Sequence, residues 1–187
     1  MTFDWHTHRL SRNAVVDIDP TGLDAARLRG LMPAGKGYLF SVGIHPWNVG
    51  VCSVRDLLTV RAIAAAHDVV AIGEVGLDTS KGSPDDLSRQ IEVLKYHVEV
   101  SETLGKPLIL HIVRRFPEII RLKKELKPKQ RWIIHGFRGK PELVKELLRY
   151  GFYLSFGRKY NAASLELTPP DRRLFETDTP PDKKCRK

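Results

Sequence analysis

Little in this 187-residue sequence suggests a secreted, membrane-bound or modular protein. There are only two cysteines, Cys52 and Cys185. They are too few and too far apart for a disulfide framework, so a reducing, cytoplasmic setting is the expectation. No apolar run approaches the ~20 residues of a membrane span, so no membrane partner is expected. Asp4, His6 and His8 interrupt any early apolar stretch, which argues against a signal peptide. Low-complexity segments and interdomain linkers are also missing, and the length suits one domain over residues 1–187. A hydrophobic share of 42% and a charged share of 28% exclude a disordered chain. Acid is the charge in short supply: a net charge of +9 and a pI near 9.7 favour a polyanionic partner such as nucleic acid. The excess gathers in "RLKKELKPKQR" (121–131) and in the final "KKCRK", with 180–187 expected to be a disordered basic tail. A solvated helix face accounts for the first of these runs equally well.

What the chain does contain is a recurring pattern: a short apolar run, a polar residue able to bind metal, then a longer stretch of helical period. The runs are "TFDWHTH" (2–8), "YLFSVGIH" (38–45), "VVAIGE" (69–74), "PLILH" (107–111), "RWIIH" (131–135) and "RRLFETD" (172–178). Two more, "AVVDI" (14–18) and "FYLSF" (152–156), read as strands without a terminal ligand. In the first run, extended geometry places Asp4, His6 and His8 on one face and Phe3 and Trp5 on the other. Two imidazoles on one strand make a chelating half-site.

Continuous Val/Ile/Leu-rich runs indicate parallel strands buried on both faces. Between Pro84 and Lys106 the residues Leu87, Ile91, Leu94, Val98 and Ser101 keep a helical period, which Gly105 and Pro107 end. Segments 118–126 and 141–149 read as helices, with Pro141 at a start and Gly151 as a stop. Eight strands alternating with helices predict a TIM-like (β/α) barrel. In such barrels chemistry sits at the carboxyl ends of the strands, where five of the seven histidines fall, with Glu74 and Asp178. His67 and His97 lie in helical stretches and read as surface residues. Ring closure would gather His6, His8, His45, Glu74, His111, His135 and Asp178 around one cavity mouth.

The motifs "FDWHTH", "SVGIHPW", "AIGEVGLD", "KPLILH", "WIIHGFRG", "LLRYGFYLSFG" and "LFETDTP", in this order over nearly the whole chain, resemble the TatD-type metal-dependent hydrolases, a branch of the amidohydrolase-like barrels. That resemblance implies a 3′–5′ exodeoxyribonuclease-like hydrolase of phosphodiesters in DNA. It further implies that His6, His8 and Asp178 bind one divalent ion, that His111 and His135 complete a second site, and that Glu74 bridges the two. The ions would be magnesium, manganese or zinc.

The residues themselves suit that chemistry. Phosphodiester hydrolysis needs a nucleophile at neutral pH and neutralisation of phosphate charge, and a pair of divalent ions provides both. Gly73 and Gly76 let Glu74 approach closely. Imidazole donors favour zinc, manganese or iron over magnesium, so the metal stays open. Asp178 beside the ions is also a candidate to take the proton of the attacking water, and Glu74 and Asp178 are the candidate catalytic pair. His45 reads as a phosphate donor or a group behind the ligands, against a packed structural histidine. Asp4, Asp78 and Glu176 are candidates to steer imidazoles. Arg114 is a candidate phosphate contact or a surface residue, and Trp47 a base-stacking aromatic or one packed on its own loop.

Two features depart from the family pattern. The connections after the first and second strands are short, and little follows "ETDTP", so the barrel is expected to be distorted and its C-terminal helical segment truncated. Apolar surface exposed by that truncation would favour a homo-oligomer or lower stability. Two rivals stand beside the nuclease reading: a metal-dependent hydrolase of another ester or amide, and a catalytically silent nucleic-acid-binding protein using the basic helix.

Overall fold

The structure, a computed structural model, describes residues 2–81 and 86–181. All eight predicted strands form: β1 (Asp4–Thr7), β2 (Ala14–Ile18), β3 (Leu39–Val42), β4 (Val69–Asp78), β5 (Leu108–Val113), β6 (Trp132–Ile134), β7 (Tyr153–Phe156) and β8 (Arg173–Phe175). They pair in parallel in the order of the sequence, giving a nearly closed TIM-like barrel. Among the described residues no ladder joins β8 to β1. Closure comes just beyond the strand ends, where Asp178 N–H donates to His6 O and His8 N–H to Thr179 O, each at 3.0 Å.

Among the described residues six α-helices occupy the connections: α1 (Ala25–Leu31), α2 (Val54–Ala64), α3 (Asp86–Leu104), α4 (Phe116–Leu126), α5 (Pro141–Arg149) and α6 (Ala162–Leu167). Ser53 and Asp56 start α2 as a reciprocal capping box. The expected start of α3 at Pro84 lies outside the described residues. So do residues 182–187 of the expected tail, Cys185 included. No helix of the described residues is long and apolar enough to cross a membrane.

As expected, the early connections are thin. Residues 8–13 return from β1 to β2 without a helix, and α1 supplies about two turns after β2. A parallel return this short works because β1 has only four residues. An extended loop of six residues reaches roughly 20 Å, more than the rise of such a strand.

Inside the barrel, Val15, Ala71, Ile109 and Ile133 are buried in one layer, with Phe3, Trp5, Tyr153 and Leu174 packed against it. Trp5 therefore does not simply face away from the histidines. The β1–β2 register slips between Asp4 and Thr7, and such a bulge breaks strict alternation. Outside the barrel, Phe40, Leu94, Leu108, Trp132 and Phe152 anchor the larger strand–helix core.

His97 corrects its expected surface placement. It is fully buried on α3, where its Nε2 accepts from Ile44 N–H at 3.1 Å and its Nδ1 lies 2.7 Å from Val93 O. Near it, Gln90 accepts from Asp78 N–H and donates to the carbonyls of Asp78 and Pro46. The polar residues on the inner face of α3 thus fix the chain at the carboxyl ends of β3 and β4, where the histidines gather. His67 is exposed, in the turn after α2. The basic run 121–131 follows α4 from the carboxyl end of β5 back to the amino end of β6, away from those histidines.

Candidate metal centre

Glu74 lies at the middle of the cavity mouth, and the local chain explains how it gets there. The β4–β5 register slips between Ile72 and Val75, which turns Glu74 inward. Any Cβ on Gly73 would collide with Ile109 O, and on Gly76 with His111 O, so glycine at both positions lets β4 lie against β5. Glu74 N–H donates to Asp17 Oδ1 at 2.6 Å.

The two carboxylate oxygens of Glu74 face different groups. Oε1 lies 2.5 Å from His111 Nδ1, 2.7 Å from His135 Nε2 and 3.4 Å from His45 Nε2. Oε2 lies 3.4 Å from His6 Nε2 and 3.9 Å from His8 Nε2. Asp178 Oδ1, 3.5 Å from His8 Nε2 and 4.0 Å from His6 Nε2, closes the second group. The fold thus gathers His6, His8, Glu74, His111, His135 and Asp178 at one point. His6–His8–Glu74 and His45–Glu74–His111 each have donor atoms close enough to share one ion.

The outer nitrogens show why a cation fits. His111 Nε2 is 3.0 Å from Asp78 Oδ2, and His135 Nδ1 is 3.3 Å from Glu176 Oε1. Carboxylates accept only, so with a metal bound these outer nitrogens would carry the ring protons and the inner ones would turn lone pairs to the ion, whereas without metal protons on the inner nitrogens bond Glu74 instead. His6 adds to this, since both of its ring nitrogens are buried without a hydrogen-bond partner among the described residues. Mixed imidazole and carboxylate donors suit a divalent transition ion.

Electrostatics follow the same layout. Burial alone would raise the Glu74 carboxyl, but the charge of His135 and hydrogen bonds from His111, His135 and His45 hold it well below the usual range. His135 is correspondingly raised: burial opposes its charge, and Glu74 and Glu176 outweigh that. Asp78 sits at about 2, because donors at Ser80, His111 and Trp47 overcome the effect of burial.

The supporting residues take varied places. His45 Nδ1 accepts from Trp47 N–H at 3.1 Å, which leaves the proton on Nε2, facing the cavity. Trp47 donates its indole N–H to Asp78 Oδ2 at 2.8 Å, with Lys81 Nζ 3.4 Å from its ring centroid, so one of its faces is already used. Arg114 is exposed beside the cluster. Asp4 reaches no imidazole nitrogen, contrary to the expectation that it steers one. Ahead of the β1 bulge it turns to Thr177, accepting from its N–H at 3.0 Å and its hydroxyl at 2.7 Å, and so braces the segment carrying Asp178.

Two carboxylates escaped the sequence reading, which gave "AVVDI" no terminal ligand. Asp17 is half-buried, its side chain 5% exposed, with Oδ2 3.6 Å from His8 Nδ1, and it also accepts from Ser41 Oγ. Burial raises its carboxyl, partly offset by His6. Asp19 accepts from His45 N–H and Asn48 Nδ2, tying the loop after β3 to β2. The signal was parity: Val15, Asp17 and Asp19 alternate, and an acid inside an apolar run points into the barrel.

Residues 4–186 match the family described as TatD related DNase. An uncharacterized metal-dependent hydrolase of Escherichia coli strain K12, YcfH, is 33% identical over 161 residues, covering 82% of this chain and 60% of its own length. A 3′-5′ ssDNA/RNA exonuclease TatD of Musicola paradisiaca is 33% identical over 176 residues, covering 86% of this chain and 64% of its own. The crystal structure of YjjV, a TatD homolog from Escherichia coli K12, superposes with a TM-score of 0.74 at 22% identity, over 88% of this chain and 66% of that one. The chain spans less than two thirds of the length of each of these three proteins. With a family match over nearly all of its length and a histidine–carboxylate cluster at the mouth of its barrel, the chain belongs to the TatD-related family of metal-dependent hydrolases.

Proposed function

We propose that this protein hydrolyses phosphodiester bonds in DNA, releasing units from a strand end, with two divalent ions. His6, His8 and Asp178 would hold one ion, His111 and His135 the other, and Glu74 would span both. The observation that carries the reading is the division of Glu74, one oxygen toward His6 and His8 and the other toward His45, His111 and His135. Bound divalent ions would neutralise charge on the phosphate and make an attacking water more acidic.

The chain's own groups do the rest. His45 Nε2–H, fixed by the cap on Trp47, donates to a phosphate oxygen in the cavity. Asp178 remains a carboxylate: burial would raise it, but the hydrogen bond from His8 and the charges of His135, His6 and His8 lower it. Partly exposed, it accepts the proton of the water that forms the new P–O bond. The leaving oxygen takes its proton from solvent. Asp78 and Glu176 keep His111 and His135 in the tautomers that the cluster needs.

The test uses 3′-labelled and 5′-labelled single-stranded DNA with magnesium, manganese or zinc, together with metal analysis of the purified protein. Label is expected to be released as mononucleotide only with metal. Glu74→Ala should cut the rate by about 10³ or more, since it removes the group common to both halves. Metal-dependent cleavage of carboxyl esters or amides without any cleavage of DNA would overturn the assignment.

A further inference from the structure

Two cavities meet at the cluster, and they differ in charge. The larger, about 590 Å³, lies toward β1–β3 and is walled by Asp17, Asp19, Leu31 and Trp47. The smaller, about 390 Å³, lies over the ends of β5 and β6 and shares His111, His135 and Asp178 with the first. Arg114 and Arg138 stand in its wall with Phe116, and among the described residues its only acid is the shared Asp178.

A phosphodiester has two arms, so a phosphate at the cluster has one arm for each cavity. Asp17 and Asp19 make the larger one unfavourable for further negative charge. The smaller offers two guanidiniums, both exposed and without a carboxylate partner among the described residues. Neighbouring Arg115 differs, being occupied by Thr79 Oγ1 and Glu118. A guanidinium's planar fork of donors matches phosphate oxygens. Arg138 comes from the loop after His135 and Arg114 from the loop after His111, so residues that follow two cluster histidines converge on one space.

We propose that the smaller cavity is the subsite for the phosphate next to the scissile one in an oligonucleotide, held by Arg138 together with Arg114. The unphosphorylated terminal nucleoside then occupies the larger cavity. This rests on the phosphodiesterase reading and adds to it a substrate requirement: a diester followed by a second phosphate.

Steady-state kinetics on thymidine dinucleotide TpT and trinucleotide TpTpT test it, with wild type and Arg138→Ala loaded with the same metal. TpT has a scissile phosphate only, whereas TpTpT also has the next one. In the wild type the ratio of kcat/KM for TpTpT over TpT is expected to be about tenfold, the scale of one charge-assisted contact. In Arg138→Ala the ratio should fall toward one, with an unchanged melting temperature because the residue is exposed. Equal kcat/KM for the two substrates in the wild type, or an unaltered ratio in the variant, would overturn the subsite and leave the phosphodiesterase reading standing. Failure of the wild type to cleave either substrate with any divalent metal would overturn both.

Discussion

The flank β3–β6 and the seam β8–β1–β2 contribute to the same cluster but are built differently. On the flank, every residue of β4 except Val70 is buried, and α2, α3 and α4 cover the strands. On the seam, β8 leaves Phe175 exposed, β1 passes to β2 through a bare loop, and backbone bonds beyond the strand ends replace a ladder. His111 and His135 are thus held by packed strands with a carboxylate behind each ring. His8 and Asp178 sit at the open edge, their side chains 30% and 41% exposed. Glu74 belongs to the flank and faces both. One half of the cluster is thus preformed by core packing, and the other depends on a few polar contacts.

Asp17 joins the two regions and offers the largest expected effect. Its carboxylate faces His8 Nδ1 on the seam and accepts from Glu74 N–H on the flank. Asp17→Asn keeps the shape but loses the charge opposite His8. Groups placed behind metal ligands typically contribute 10- to 100-fold in affinity. Titration calorimetry with manganese or zinc should show about that loss for one ion and little change for the other. Equal weakening of both ions would mean that flank and seam are not separable as described.

On the flank the sensitive point is His97. Unfolded, its imidazole titrates near 6.5; in the native protein burial pushes it down to about 4, against the pull of Val93 O and Asp19. Between those values the unfolded chain binds a proton that the native one does not. The stability contributed is complete above pH 6.5 and is lost as pH falls toward 4. Between pH 7 and pH 5 the loss amounts to about 2 kcal/mol. Urea unfolding at the two pH values should show it, and His97→Gln should flatten that part of the slope. An unchanged slope in the variant would place the acid sensitivity elsewhere, the seam included.

The same contrast accounts for what the sequence made legible. All eight strands were visible because parallel strands buried on both faces read as unbroken apolar runs, and a ligand-type residue at a run's end marked the mouth of the barrel. The seven residues around the cavity mouth, His45 among them, were visible for the same reason, whereas the choice of six as metal ligands came from the family resemblance alone. Less visible was everything set by contacts between elements. His97 on a helix looks like a surface residue until Ile44 N–H is found against it. Asp17 sits inside a strand that reads as having no terminal ligand, because nothing local says that Glu74 N–H lies opposite. Asp4 followed the period of the histidines, but the bulge in β1 sent it to Thr177.

Asp4 supplies the smallest of the three effects and the most direct probe of the seam. Its carboxylate holds Thr177, and the next two residues make the closing bonds, Asp178 N–H to His6 O and Thr179 O from His8 N–H. Asp4→Ala removes three hydrogen bonds at a half-buried site, from His6 N–H, Thr177 N–H and the Thr177 hydroxyl, worth about 1 kcal/mol together because water replaces them. That loss should fall on the seam alone. Amide hydrogen exchange should quicken at His8 and Asp178, whose N–H groups close the barrel, and stay unchanged through β5, whose ladders lie in the core. A uniform increase over both regions would show that the barrel opens as one unit, and that the seam carries no independent weakness for metal or substrate to stabilise.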